Sequence, residues 1–286
     1  MRRLLVQLDG DRLPSLFDRI VGYDAGAEDV LSYGGVEEPE VRGLVHGAIF
    51  TRGPKELAST ALFVGGSDAG HAERMLAAAR ATFFGPFRVS VMLDPNGANT
   101  TAAAAVLKVV QALGGDVTTR RVVVLAGTGP VGTRVAGLLG RLGASVRITS
   151  RGRAHADAAA AEVAARFGVA AEPLVVGGPA EAAAALEGAD VAIATGPAGV
   201  RLLARADWAG RPGLRVVADV NAVPPSGIEG VEPVDDGVER DGPIAFGALG
   251  IGRLKMKIHK TCIARLFERN DLVLDAETIY DLAAGL

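Results

Sequence analysis

Short apolar runs alternate with helical patterns along the chain. LLVQLD (4–9) reads as a strand, and PSLFDRIVG (14–22) as a helix with Pro14 in its first turn. GAIFT (47–51), TALFVGG (60–66) and RVSVMLD (88–94) read as buried strands, each followed by glycine, proline or polar residues. Residues 68–83 have a helical pattern. Asn99 stands where it would cap an alanine-rich helix over 100–115, which Gly114 and Gly115 stop. A second series follows: strands at 121–126, 145–150, 190–196 and 214–220, with alanine-rich helices between the first three. Segment 250–285 is helical again. Strands separated by helices predict right-handed crossovers and a parallel sheet in each half.

The second series opens on RVVVLAGTGPVG (121–132). Gly127, Thr128, Gly129, Pro130, Val131 and Gly132 follow an apolar strand and open a helix, the setting that a dinucleotide turn requires. Gly127 permits the tight turn, Gly129 lets backbone approach a diphosphate, and Gly132 lets the helix pack on the strand. Pro130 removes a donor the helix start does not need. A glycine-rich turn that binds nothing is the plainer alternative, and the strand–turn–helix setting argues against it. An NAD site usually has an acid at the end of the next strand to accept from the ribose hydroxyl. Here that position reads Ser150-Arg151-Gly152-Arg153, with no acid, and an arginine fork with a hydroxyl suits a 2′-phosphate. NADP is therefore the expected cofactor, although both arginines could instead be solvated helix-start residues. Thr195, Gly196 and Asn221, at two later strand ends, are expected on the nicotinamide side. The expected fold is α/β: two α/β domains, the second a Rossmann-like parallel sheet, with a cleft between them. Residues 1–112 with 250–286 make the first domain, and 113–249 the second.

Composition narrows the remaining chemistry. The 286 residues are 49% hydrophobic and 22% charged, the balance of a soluble globular enzyme. A net charge of −3 gives no basic field for nucleic acid or an anionic membrane. Cys262 is the one cysteine, so no internal disulfide forms and a cytoplasmic location is the default. No apolar stretch approaches the ~20 residues of a membrane span. His46, His71, His155 and His259 are scattered without ligand spacing, so no metal is expected. No G-x-S-x-G is present. Hydride transfer remains, with the first domain supplying the partner's site. Asp94 and Asn96, in DPNGANTT (94–101), are candidates to face that partner, with a turn and helix cap as the plainer role. In RLKMKIHKTCIARLFER (253–269), Leu254, Ile258, Cys262, Ile263 and Leu266 form an apolar arc. Lys257 and Lys260 lie opposite it. Lys255 lies within it, just beyond Gly250 and Gly252, which would let backbone approach a ligand, and His259 follows one turn on. Lys255 either pairs structurally or contacts substrate, and for His259 a hydrogen-bonded packing role is favoured.

With these residues on view, the chain resembles the NADP-dependent methylene-tetrahydromethanopterin dehydrogenases of methylotrophic bacteria. The likeness rests on VGYDAGAEDV (21–30), TRGPKELASTALFVGG (51–66), FFGPFRVSVMLDPNGANTTAAA (83–104), VVLAGTGPVG (123–132), VADVNAVPPSGI (217–228) and AFGALGIGRLKMKIHKTCIARLF (245–267). It implies oxidation of the methylene bridge to methenyl in one-carbon metabolism, with methylene-tetrahydrofolate as a further substrate of some members. It implies a homo-oligomer, a trimer being favoured, and a lysine near the transferred carbon that matches Lys255. Segment 151–190 departs in detail, which touches the cofactor rim. In such a substrate the two nitrogens flanking the methylene carbon push out the hydride, so no general base is needed. Another NADP-linked dehydrogenase, with Lys255 or His259 as proton donor, and an NADP-sensing regulator are the competing readings; cyclohydrolase activity is expected to be slight.

Overall fold

The computed structural model describes residues 1–286, apart from the side chain of Pro179. The chain divides into two compact units, Met1–Thr100 with Met256–Leu286, and Thr101–Lys255.

The first unit is a parallel sheet of β1 (Leu4–Asp9), β2 (Asp29–Gly34), β3 (Thr60–Gly65), β4 (Ser90–Leu93) and the short C-terminal β12 (Val273–Leu274). Their spatial order is β12-β4-β3-β1-β2. In sequence terms this is the doubly wound order 2-1-3-4-5, which reverses direction between β1 and β3. Helices α1 (Leu16–Asp24), α2 (Glu38–Phe50), α3 (Ala69–Thr82) and α10 (Ala276–Ala284) join or follow the strands. β3 is buried along its whole length, as a central parallel strand covered on both faces should be.

Several expected elements change here. GAIFT lies at the end of α2 and is no strand. Val41, Val45, Ala48 and Ile49 are all buried at helical spacing, so the apolar run is one face of a helix. α1 starts at Leu16, after Pro14, because the Ser15 hydroxyl accepts from Asp18 N (3.2 Å) and caps it. The helix expected from residue 100 is α4 (Ala98–Ala112), so Asn99 is inside it rather than at the cap position. Asp94 does the capping. Segment 250–285 is not continuously helical: α9 (Ala248–Arg265) and α10 are separated by β12, which adds the fifth strand to this sheet.

The second unit is a seven-stranded sheet ordered β10-β11-β9-β8-β5-β6-β7. These are β5 (Arg121–Leu125), β6 (Ser145–Ser150), β7 (Ala171–Val175), β8 (Val191–Ala194), β9 (Val216–Asp219), β10 (Asp236–Glu239) and β11 (Ile244–Phe246). All pairs are parallel except β10 with β11. The six parallel strands give the dinucleotide-binding order 3-2-1-4-5-6, reversing between β5 and β8. α5 (Pro130–Arg141) and α6 (Arg153–Phe167) pack so closely that a Cβ on Gly137 would stand 2.2 Å from the Phe167 ring. The other face is filled by Leu125, Ala194, Trp208, Val217 and Ile228. Among the described residues, no helix is long and apolar enough to cross a membrane.

Candidate active site

The turn after β5 lies beside the reversal point of the second sheet, where a doubly wound fold binds its ligand. The left-handed residue of the turn is Ala126 (φ 48°), so tightness is not what requires Gly127. Gly127 is required by crowding: its Cβ would meet Val124 Cγ1 at 2.8 Å and Ile148 Cγ2 at 3.1 Å. Gly132 faces a harder limit, with Gly127 Cα and O 2.5 Å from where its Cβ would be. Gly129 differs from both. A Cβ there would meet nothing within 4 Å, so the bare backbone leaves room for a ligand. Gly129 also starts α5 without a side-chain cap, and Pro130 occupies the first turn. The first intrahelical bond of the turn runs from Thr133 N to Gly129 O (3.0 Å), while Thr128 and Val131 are half-buried beside it. An open cradle at an uncapped helix start fits a diphosphate.

Two residues that sequence reasoning missed hold this turn. The buried Thr149 hydroxyl accepts from Ala126 N (2.9 Å), and Thr149 O accepts from Gly127 N (3.0 Å). The buried Arg134 guanidinium donates to Pro130 O (3.0 Å) and sets a cation at the helix start. A threonine in a strand carries no signal of such a contact. Arg134 interrupts the apolar arc of α5, and that interruption was readable.

At the end of β6 the Ser150 hydroxyl accepts weakly from Gly152 N (3.4 Å) and Ser150 O accepts from Val176 N (2.8 Å). Arg151 is exposed and makes no ion pair among the described residues. Arg153 is committed, its Nε 3.0 Å from Asp157 Oδ2 one turn along α6. On the other side of the reversal point, Thr195 returns to β5, donating to Leu125 O from its hydroxyl (3.2 Å) and its N–H (3.0 Å). Gly196 is held against the turn: its Cβ would lie 3.1 Å from Ala126 Cβ. Asn221 lies one strand further. Its amide donates to Val223 O (3.1 Å) and accepts from Val223 N (3.0 Å), closing a loop that contains the cis Pro224–Pro225 bond. The buried Asp219 anchors that loop, accepting from Asn221 N (2.9 Å) and Ile228 N (3.0 Å). Burial pushes its carboxyl up, against the N–H donors that pull it down.

In the first unit, Asp94 is fully buried after β4. It accepts from Asn99 N (2.9 Å), Thr100 N (3.1 Å) and Thr100 Oγ1 (2.6 Å), so its carboxylate caps the chain turning into α4. Asn99 instead donates from its side chain to Leu93 O (2.6 Å). Asn96 is exposed in the left-handed region (φ 49°) and presents its amide from the same turn. On α9, Ile258, Cys262 and Ile263 are buried, as is Leu266 just past its end; Leu254 and Lys255 are half-buried, and Lys257 is exposed. Gly250 does not serve a ligand. Its Cβ would stand 2.0 Å from Asp235 O, so the residue admits protein backbone; Gly252 faces open space. His259 is fully buried. Among the described residues no group of three or more potential ligands could hold a metal.

Residues 16–96 match the model of the methylene-tetrahydromethanopterin dehydrogenase N-terminal family. Over 99% of its length the chain is 50% identical to the bifunctional protein MdtA of Methylorubrum extorquens, of which it covers 98%. Over its whole length it is 34% identical to the NAD(P)-dependent methylenetetrahydromethanopterin dehydrogenase of the same organism, covering 99% of it. The chain belongs to the methylene-tetrahydromethanopterin dehydrogenase family. Among solved structures, this family member resembles quinate dehydrogenase from Corynebacterium glutamicum, with a TM-score of 0.52 at 16% identity and 99% coverage of each chain. That likeness extends the α/β architecture to both units.

Proposed function

We propose that the protein oxidises the methylene bridge of methylene-tetrahydromethanopterin to the methenyl form, with NADP as hydride acceptor. The observation that carries this reading is the end of β6 in a chain that matches its relative over 99% of its length: no carboxylate, and an exposed Arg151 not committed to an ion pair among the described residues. Gly129 and the start of α5 hold the diphosphate, and Arg151 with Ser150 binds the 2′-phosphate. Arg153 contributes less, since Asp157 occupies it. Thr195, Gly196 and the loop held by Asn221 carry the nicotinamide half. When bound, NADP supplies the hydride acceptor. The protein's own part is to orient the pterin and exclude water, because the reacting carbon needs no general base. Asn96 and Lys255 orient the pterin; Asp94 acts through the turn it caps. Lys255 does so by hydrogen bonding, since a cation is not helped by a charge beside it.

The same reading includes a homo-oligomer, a trimer by family likeness, which light scattering measures directly. The deciding experiment mixes protein, NADP and methylene-tetrahydromethanopterin and follows methenyl absorbance, with NAD and methylene-tetrahydrofolate in parallel. Formation of methenyl product faster with NADP than with NAD supports the reading. Dinucleotide binding without turnover leaves a sensing protein in its place.

A further inference from the structure

Unit one contains an exposed aromatic ring on a rigid base. Phe17, in the first turn of α1, is 49% exposed. It follows directly from the loop after β1, at the carboxyl edge of the strand beside the reversal point of this sheet. Its inner side is fixed. The His259 ring lies 6.1 Å away at 49°, within the range of a favourable aromatic contact. His259 is itself fully buried and stacked flat on Phe63 of β3, 5.7 Å away at 10°. Its two nitrogens lie 3.8 Å from Asp18 Oδ1 and 3.8 Å from Asp94 Oδ2, both buried. One imidazole thus ties together α1, β3, the turn into α4 and α9, and Phe17 rests on it. Leu13 and Leu16 beside it are 71% and 68% exposed.

We propose that Phe17 is the stacking wall for the pterin ring of the substrate, and that His259 is the positioning residue that holds Phe17 in place. This rests on the reading that the substrate is a pterin. The chemistry fits an uncharged planar heterocycle. The nearby carboxylates of Asp94 and Asp9 are spent on backbone N–H groups, so this edge keeps no uncapped helix start for an anion. A half-exposed phenyl flanked by leucines offers area to a flat ring, and such stacking is sequestered best when the wall does not move. His259 lies on α9, one turn beyond Lys255 in sequence.

The test is a double-mutant cycle in the full-length enzyme. Phe17→Ala should raise the KM for methylene-tetrahydromethanopterin by about 10- to 100-fold, the usual range for removing an aromatic platform beneath a nucleobase-like ring. The KM for NADP and the thermal midpoint should stay near wild type, because the ring is half in solvent. Phe17→Tyr should restore the pterin KM. His259→Gln should raise the same KM, and this effect should vanish in the Phe17→Ala background if His259 acts through the ring. An unchanged pterin KM in Phe17→Ala overturns the wall. Effects of His259→Gln that multiply with those of Phe17→Ala overturn the positioning role. Calorimetry with tetrahydromethanopterin separates this from the broader reading. If wild type binds and turns over the pterin while Phe17→Ala behaves the same, only the stack is wrong. If wild type does not bind it, both fail.

Discussion

The two sheets are wound alike and finish their carboxyl edges in opposite ways. In the first unit each helix start near the reversal point is closed by the chain's own side chain. Ser15 caps α1, Asp68 caps α3 through His71 N (2.9 Å), and Asp94 covers the start of α4. In the second unit α5 and α6 start on Gly129 and Gly152 without a side-chain cap. An uncapped start carries N–H groups and a positive dipole end that attract an anion; a carboxylate in the same place cancels both. Under the proposed function, the same strand–helix architecture serves different ligands: phosphates on the second unit, and an uncharged ring on the first.

The sharpest way to break this contrast is Gly129→Ala. The added methyl meets no protein atom, so folding should be untouched, while NADP affinity should fall by about 100-fold as charge-assisted contacts to the diphosphate are lost. A calorimetric titration with unaltered affinity would show that no diphosphate lies there. Arg151→Ala should raise the KM for NADP by roughly 10- to 100-fold and leave weak NAD turnover alone, whereas Arg153→Ala, already paired with Asp157, should change it less than about 3-fold. Equal losses with both dinucleotides would make Arg151 structural. Along α9, which runs from one unit into the other, Lys255→Ala should cut pterin turnover by about 10-fold without lowering the thermal midpoint, and the exposed Lys257→Ala should behave like wild type. A large fall in midpoint with activity per folded molecule retained would instead mark Lys255 as a structural charge.

The capped edge predicts smaller effects, and on stability. Asp94→Ala should lower folding free energy by about 2 kcal/mol, read by urea titration, because buried N–H groups of α4 lose their acceptor. The interior beneath it should be chemically silent. Burial, with the Asp94 charge adding to it, pushes the Cys262 thiol up to about 12, so iodoacetamide at pH 8 should label it only in denaturant.

What the sequence disclosed follows from the range of the forces involved. The glycine turn was legible because its strand, spacing and helix occur within twelve residues of one another. The misread α2 and the unread β2 show the limit. A five-residue apolar run fits either period, and only Val41 and Val45 upstream reveal the helical face. β2 is an edge strand with Leu31, Tyr33 and Gly34 exposed, so it lacks the apolar run of a central strand. β7 carries Pro173, which the edge of a sheet tolerates. Asp94 was readable as a cap or as a ligand contact, and its hydrogen bonds to Asn99 and Thr100 show the cap. The hold of Thr149 on Ala126 and the stack of Phe17, His259 and Phe63 join residues far apart in sequence, and such contacts leave no periodicity.

The return of the C-terminus to complete the first sheet has a consequence for how the molecule comes into being. During synthesis the second unit is contiguous and is finished once residue 255 has emerged, but the first waits for β12, only a dozen residues from the end. Until then β4 presents an open edge, which a nascent chain must keep from pairing with its neighbours. Released chains truncated just before Val273 should therefore resist protease within Thr101–Lys255 and be cut in the earlier part of the sequence.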